Sequence, residues 1–305
     1  MKKCLYLSLA VMWLLINSGC EKEIEYDGKV LDNFLVLNAQ LEADSLIRCH
    51  LTRSNTILDK MPIQHIGDAK VELYKNGTLL EVLAYDKDGY YKSLMNRAFI
   101  GNEYEIRVDH PRYNQIFAKT TVLTRSDTDY ASVKYSHATE NLHYTVQLND
   151  LEGEDFYRLQ VLYYSTFYDY DGNEVTGWRP CYFESDDPVL NNNKVVGEDS
   201  DFSDDPDNDY AIFNDDLFDG EVYHLKFEVG EYNCLEKLKD IQVNVQRLSK
   251  DMYKYYKSVQ TRDYYDGDPF VEPVRVYTNV NGGAGIVGSA TSNYMRFDPN
   301  LLEVK

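Results

Sequence analysis

Short alternations of apolar and polar residues dominate the chain. Val71 and Leu73 alternate with Glu72 and Tyr74, Asn76-Gly77 follows, and Leu80, Val82 and Ala84 alternate on the return. Asn-Gly between two such runs predicts a type I′ hairpin over residues 69–85, because both central residues of that turn need positive φ. Tyr104, Ile106 and Val108 alternate with Glu103, Glu105, Arg107 and Asp109, the period of a half-buried antiparallel strand. His110-Pro111 ends that ladder, since proline has no amide proton to donate. Short strands at this spacing predict an immunoglobulin-like β-sandwich over residues 34–125, closed by the polar stretch 124–129. Residues 142–148, 156–164, 222–229, 241–248, 274–280 and 294–297 continue the strand pattern. One helix is predicted near 250–262. Ser249 caps it, Asp251 meets the positive end of its dipole, and Met252, Tyr256 and Val259 share a face. The predicted fold class is therefore mainly β: the N-terminal sandwich, then a second, larger β-rich domain with one helix over residues 130–305.

The amino terminus follows a different rule. Met1-Lys2-Lys3 precedes a largely apolar run over residues 4–16, and Asn17-Ser18-Gly19-Cys20 leads into Glu21-Lys22-Glu23. That run suits a secretory signal and is shorter than the roughly 20 residues a spanning helix needs. Residues 1–19 are predicted to be a signal peptide. Ser18 and Gly19 before Cys20 resemble a bacterial lipobox, which implies an acylated Cys20 at the head of a linker over residues 20–33. The alternative is an ordinary cleaved signal with Cys20 incidental. Glu21 to Glu25 resemble the acidic export tag of surface lipoproteins in Bacteroidota.

Charge sharpens the picture. The chain carries 31 basic and 51 acidic residues, a net of −20. Such an excess repels phosphate backbones and anionic lipid, so nucleic-acid binding is not expected. Lys2 and Lys3 are the only charged residues before Cys20, so the remaining chain has 29 basic against 51 acidic residues. Residues 181–220 hold 13 of those acids and one base, Lys194, and are predicted to form an acidic insertion. Tyrosines number 27, of which 19 follow Asp129. They suit strand packing, and equally a tyrosine-rich binding face in the second domain. Beyond Cys4 and Cys20, Cys49, Cys181 and Cys234 allow one disulfide, which excludes a disulfide scaffold.

Motifs for chemistry are sparse. Gly283-Ala284-Gly285-Ile286-Val287-Gly288 spells a dinucleotide fingerprint, but a strand-like run follows where a helix should open, so the glycines are expected to allow close backbone approach. Asp205, Asp207 and Asp209 place oxygen donors at alternate positions, as a calcium loop begins, yet Asp216 stands where such a loop needs a glutamate. They are weak calcium candidates beside the alternative of a solvated turn, as is the Asp169-Tyr170-Asp171-Gly172 turn. No cofactor and no catalytic residues are expected: the six histidines are scattered, and no nucleophile elbow or His-Glu-x-x-His helix is present.

Several segments together carry a resemblance: Cys20-Glu21-Lys22-Glu23-Ile24, Ala43-Asp44-Ser45-Leu46-Ile47, Leu73-Tyr74-Lys75-Asn76-Gly77, Asp268-Pro269-Phe270-Val271-Glu272-Pro273, Val276-Tyr277-Thr278-Asn279-Val280 and Asn281 to Gly288. They look like a family of Bacteroidota outer-membrane lipoproteins known as a domain of unknown function and encoded beside TonB-dependent receptors. Ala284 and Val287 depart from it by being smaller than expected, and His110-Pro111-Arg112-Tyr113 replaces a Pro-Gly-Tyr turn. The resemblance implies a surface-exposed protein, lipid-anchored in the outer membrane, that assists a TonB-dependent nutrient receptor by binding ligand or docking. The ligand itself is not implied. A structural or adhesive surface protein is the alternative. Asp44-Ser45-Leu46 also resembles a Bacteroidota O-glycosylation pattern, against a plain strand-edge turn.

Overall fold

A computed structural model describes residues 32–56, 62–136, 141–168, 172–191, 210–230, 241–265, 271–297 and 303–304. The expectations that fall on Cys20, on Asp205, Asp207 and Asp209, on residues 169–171 and on most of the acidic insertion lie outside those residues. The strands are β1 (Leu35–Leu41), β2 (Leu46–Arg53), β3 (Gln64–His65), β4 (Lys70–Lys75), β5 (Thr78–Val82), β6 (Ala84–Tyr85), β7 (Tyr90–Arg97), β8 (Glu103–His110) and β9 (Tyr113–Thr121). After them come β10 (Asp127–Ser136), β11 (Asn141–Asn149), β12 (Phe156–Tyr168), β13 (Glu174–Cys181), the one-turn helix α1 (Pro188–Asn191), β14 (Ala211–Asn214) and β15 (Val222–Gly230). Then follow β16 (Ile241–Leu248), the helix α2 (Lys250–Tyr265), β17 (Ala284–Phe297) and β18 (Glu303–Val304). The protein is mainly β, as its alternations predict; α1 is a turn of helix that they do not.

The predicted hairpin is β4 and β5, and Asn76 and Gly77 both take positive φ, 49° and 77°. Among the described residues the strands form three sheets. One path runs β13-β12-β16-β17-β1-β2-β7-β6, with β14 on β12 and β3 on β2; the others are β15-β11-β10-β18 and β5-β4-β8-β9. Leu37 and Leu51 of the long sheet pack with Val71, Ile106 and Ile116 of the last sheet in one apolar core. Leu159 and Val243 pack with Leu142, Val146 and Leu225 in a second. The long sheet thus backs both cores, and β17 is its seam, antiparallel to β16 and parallel to β1.

Glycines make that seam. Gly285 has φ +103°, and a Cβ there would lie 2.1 Å from the Leu37 carbonyl oxygen. At Gly288 it would lie 2.9 Å from Met252, the buried anchor of α2. The fingerprint-like spacing is therefore a surface against which β1 and then α2 close, the close approach expected of it. The strand predicted over 274–280 is not formed. Its polar side chains take its place: Asn279 Nδ2 donates to the Val287 carbonyl at 2.8 Å, and Val287 N donates to Asn279 Oδ1 at 3.0 Å. Tyr277 N donates to Ser258 Oγ at 2.8 Å, tying the segment to α2 instead of to a ladder.

Candidate functional site

Alternation decides what the long sheet shows on its outer face. Leu35, Leu37, Ala39 and Leu41 of β1 point into the core, so Asn38, Gln40 and the following Glu42 point out. In β2 the inward set is Ile47, Cys49 and Leu51, leaving Leu46, Arg48 and His50 outward. Helix α2 runs beside this face. Ser249 Oγ accepts from Met252 N at 3.4 Å and from Ser289 N at 3.1 Å, so the predicted cap also docks the helix on β17. Asp251 accepts from the Tyr277 hydroxyl at 2.5 Å and from Asn279 Nδ2 at 3.2 Å.

Between α2 and β1–β2 lies an open cleft of about 530 Å³, lined by Asn38, Gln40, Glu42, Ser45, Leu46, Arg48, His50, Tyr90, Met252, Tyr255, Tyr256 and Ile286. Its size suits a small molecule, and it pairs apolar rings with a few convergent polar groups. Those groups are held from behind. The Arg158 guanidinium lies over the Tyr256 ring at 4.7 Å and donates to its hydroxyl at 2.6 Å, and that hydroxyl donates to Gln40 Oε1 at 3.0 Å. Arg158 also donates to Gln246 Oε1 at 2.5 Å; Gln246 Nε2 donates to Ser292 Oγ at 2.7 Å, and Ser292 gives its amide and hydroxyl to Glu42 at 2.7 and 3.2 Å. One fixed relay therefore orients Gln40 and Glu42 at the cleft wall. Burial raises the Glu42 carboxyl above its usual range, against the Ser292 hydrogen bonds and the nearby Arg125 and Arg158 charges. Asn244, two residues along β16 from Gln246, has a buried Oδ1 with no hydrogen-bond partner among the described residues.

The chain belongs to the family described as domain of unknown function DUF4249. The match covers residues 21–295, so it includes every side chain of the cleft and its relay. No curated protein matches the chain. As a member of this family the protein acquires a shared architecture but no assigned chemistry, so the groups themselves must carry the interpretation.

Two other polar regions compete with the cleft. A cavity of about 680 Å³ lies between β11, β15 and the start of α1. Two of its polar side chains, Asp187 and Ser185, are spent on holding that segment to the sheet. Asp187 accepts from Tyr223 Oη at 2.8 Å, Lys226 N at 3.0 Å and Val189 N at 3.0 Å, and Ser185 donates to the Lys226 carbonyl. The second is a buried trio, Asp150, Asp155 and Asp215, whose carboxylate oxygens lie within 4.8 Å of one another and could offer three donors to a cation. Here the protein supplies its own counter-charge: Arg247 grips Asp155 through contacts of 2.6, 2.7 and 2.9 Å. Tyr157 Oη donates to Asp150 at 2.5 Å, Gly220 N to Asp150 at 2.9 Å, and Asp155 N to Asp215 at 2.8 Å. Burial pushes the Asp215 carboxyl up to about 6.

Of the tyrosines read as a binding face, the second half brings Tyr255 and Tyr256 to the cleft, and Tyr90 joins from the first half. Tyr144 and Tyr157 are core residues. Glu42, Arg48, His50 and Arg158 carried no motif in the sequence, because they converge from strands far apart in the chain. Only the outward phase of β1, β2 and β12 could have pointed to them. Ser45 of the Asp44-Ser45-Leu46 stretch lies in the tight β1–β2 turn, where Asp44 has φ 62°.

Proposed function

We propose that this protein is an exported, lipid-anchored binding protein of the outer-membrane surface that seats a small ligand in the α2 cleft and serves a TonB-dependent uptake receptor. The cleft carries the proposal. It joins three tyrosine rings, a carboxylate, a guanidinium and two amides, and its relay fixes the wall before any ligand arrives, which lowers the ordering cost of binding. The lipobox at Cys20 supplies the anchor. Cys181 is disulfide-bonded, which suits an oxidising compartment outside the cytoplasm. The family match adds support through its span, from directly after Cys20 to residue 295.

Crosslinking in intact cells followed by affinity purification is expected to recover a TonB-dependent receptor together with the protein. Recovery of the lipid-anchored protein with no such receptor, at crosslinking yields that capture other outer-membrane pairs, would refute the uptake role. A purely adhesive protein would behave that way.

A further inference from the structure

We propose that His50 and His65, with the backbone carbonyl of Asp88, form a binding site for a divalent late transition ion such as zinc or copper. This goes beyond the uptake proposal and stands without it.

Three separate backbone segments meet here. Thr52 pairs with His65 across β2 and β3, and His50 lies two residues before Thr52, so both imidazoles stand on the same face of the sheet. Asp88 belongs to the turn into β7, where Asp88 and Gly89 both take positive φ. Backbone hydrogen bonds join the segments: Leu51 N donates to the Gly89 carbonyl at 2.8 Å, and Ile66 N donates to the Leu51 carbonyl at 3.1 Å. A Cβ on Gly89 would come within 2.5 Å of the Leu51 carbonyl oxygen, so only glycine permits the turn to press this closely on β2. The Tyr90 ring stacks on His50 at 4.4 Å and fixes the plane of its imidazole. The donors are thus held by elements that are ordered before an ion binds.

The distances match an ion. His50 Nε2 lies 3.3 Å from His65 Nδ1 and 3.0 Å from the Asp88 carbonyl oxygen. Two imidazole nitrogens each about 2.05 Å from one ion lie about 3.3 Å apart at a tetrahedral angle and about 2.9 Å apart at a right angle. In the metal-free protein a proton fills the same place. The Asp88 carbonyl can only accept, so His50 Nε2 carries a hydrogen aimed at that oxygen and at the His65 Nδ1 lone pair. When an ion replaces it, the neutral His50 ring moves its proton from Nε2 to Nδ1, and both nitrogens give lone pairs to the ion. His65 binds through the tautomer that leaves Nδ1 bare. Nothing is oxidised and no bond within the chain breaks. Imidazole donors select copper, nickel and zinc over calcium and magnesium, and water completes the coordination.

The test uses the full chain, stripped with chelator and exchanged into metal-free buffer. Zinc chloride titrated by calorimetry is expected to bind one equivalent, and His65→Ala to weaken it at least about tenfold. His65 is exposed, so this variant keeps its fold, which circular dichroism checks. His143→Ala, which removes the partner of Glu228 on another strand, is expected to leave the zinc affinity unchanged. Copper added to wild type is expected to show electron-spin-resonance coupling to two imidazole nitrogens, reduced to one in His65→Ala. Zinc affinity equal in wild type and His65→Ala, absence of binding up to about 1 mM, or a copper spectrum insensitive to the substitution would each overturn the site.

Discussion

The two cores that the long sheet covers, one toward each end of the same face, are built differently. The first, formed from residues 35–122 with Val280 and Val287, is aliphatic and aromatic, and among the described residues its buried polar side chains are hydroxyls and His110. The second half contains Asp150, Asp155, Asp187 and Asp215, all buried, together with Gln242, Asn244 and Gln246. Burying an apolar side chain stabilises without conditions; burying a charge stabilises only when its partners are in place. The first core therefore resembles a scaffold held mainly by apolar burial, and the second a region whose stability depends on a few named contacts. The cleft lies where they meet, with β1 and β2 from the scaffold and α2 with its relay from the polar half.

The largest expected break in this comparison is Arg247→Met. It leaves Asp155 without its guanidinium, beside Asp150 and Asp215, and is expected to cost about 3–5 kcal/mol in urea unfolding at pH 7.5. A loss below about 1 kcal/mol would mean that the carboxylates relax into solvent. Next is the seam. Gly285→Ala combines a positive φ with a clash against the Leu37 carbonyl and is expected to cost about 2–4 kcal/mol, whereas Gly77→Ala, whose Cβ meets nothing, should cost about 1 kcal/mol from φ alone. Equal losses would remove the close approach as the reason for the glycine.

Acidity separates the halves more gently. Asp215 holds its proton up to about pH 6 when folded, against an ordinary carboxylate value near 3.8. Between these values the folded protein binds more protons than the unfolded one, so this group stabilises fully below the unfolded value and its contribution is lost as pH rises through about 6. Asp215→Asn keeps an oxygen for the Asp155 amide and avoids the buried charge. It is expected to raise stability by roughly 1–3 kcal/mol at pH 8 and to flatten the pH dependence between 4 and 6, measured by denaturant melts. The smallest effect belongs to Tyr256→Phe, which cuts the link from Arg158 to Gln40 and should cost about 1 kcal/mol while leaving the circular dichroism unchanged.

Legibility in the sequence follows the range of the interactions. The β4–β5 hairpin, β8 and α2 were written locally, in a turn dipeptide, a two-residue period and a cap. The 274–280 stretch had the period of a strand and lost it to Asn279 and Ser258, side chains that supply ladder-like bonds from outside the ladder. Gly285 and Gly288 announced close approach but not what approaches, since β1 and α2 reach them from different parts of the chain. The aspartate trio and the Arg158 relay were not legible at all. Asp150 and Asp215 stand 65 positions apart, and Arg158 and Gln246 are 88 residues apart. Nothing in local spacing marks such pairs in a chain with this many acids.

Native mass spectrometry tests the cleft most directly. Protein purified without denaturant from its own host is compared with Gln40→Trp, which places an indole in the cleft mouth at an exposed position of β1. The wild-type protein is expected to carry a small noncovalent adduct that Gln40→Trp lacks, with both folded. An adduct equally present in both, or absent from the wild type under every growth condition that expresses the protein, would contradict a ligand seat between β1–β2 and α2.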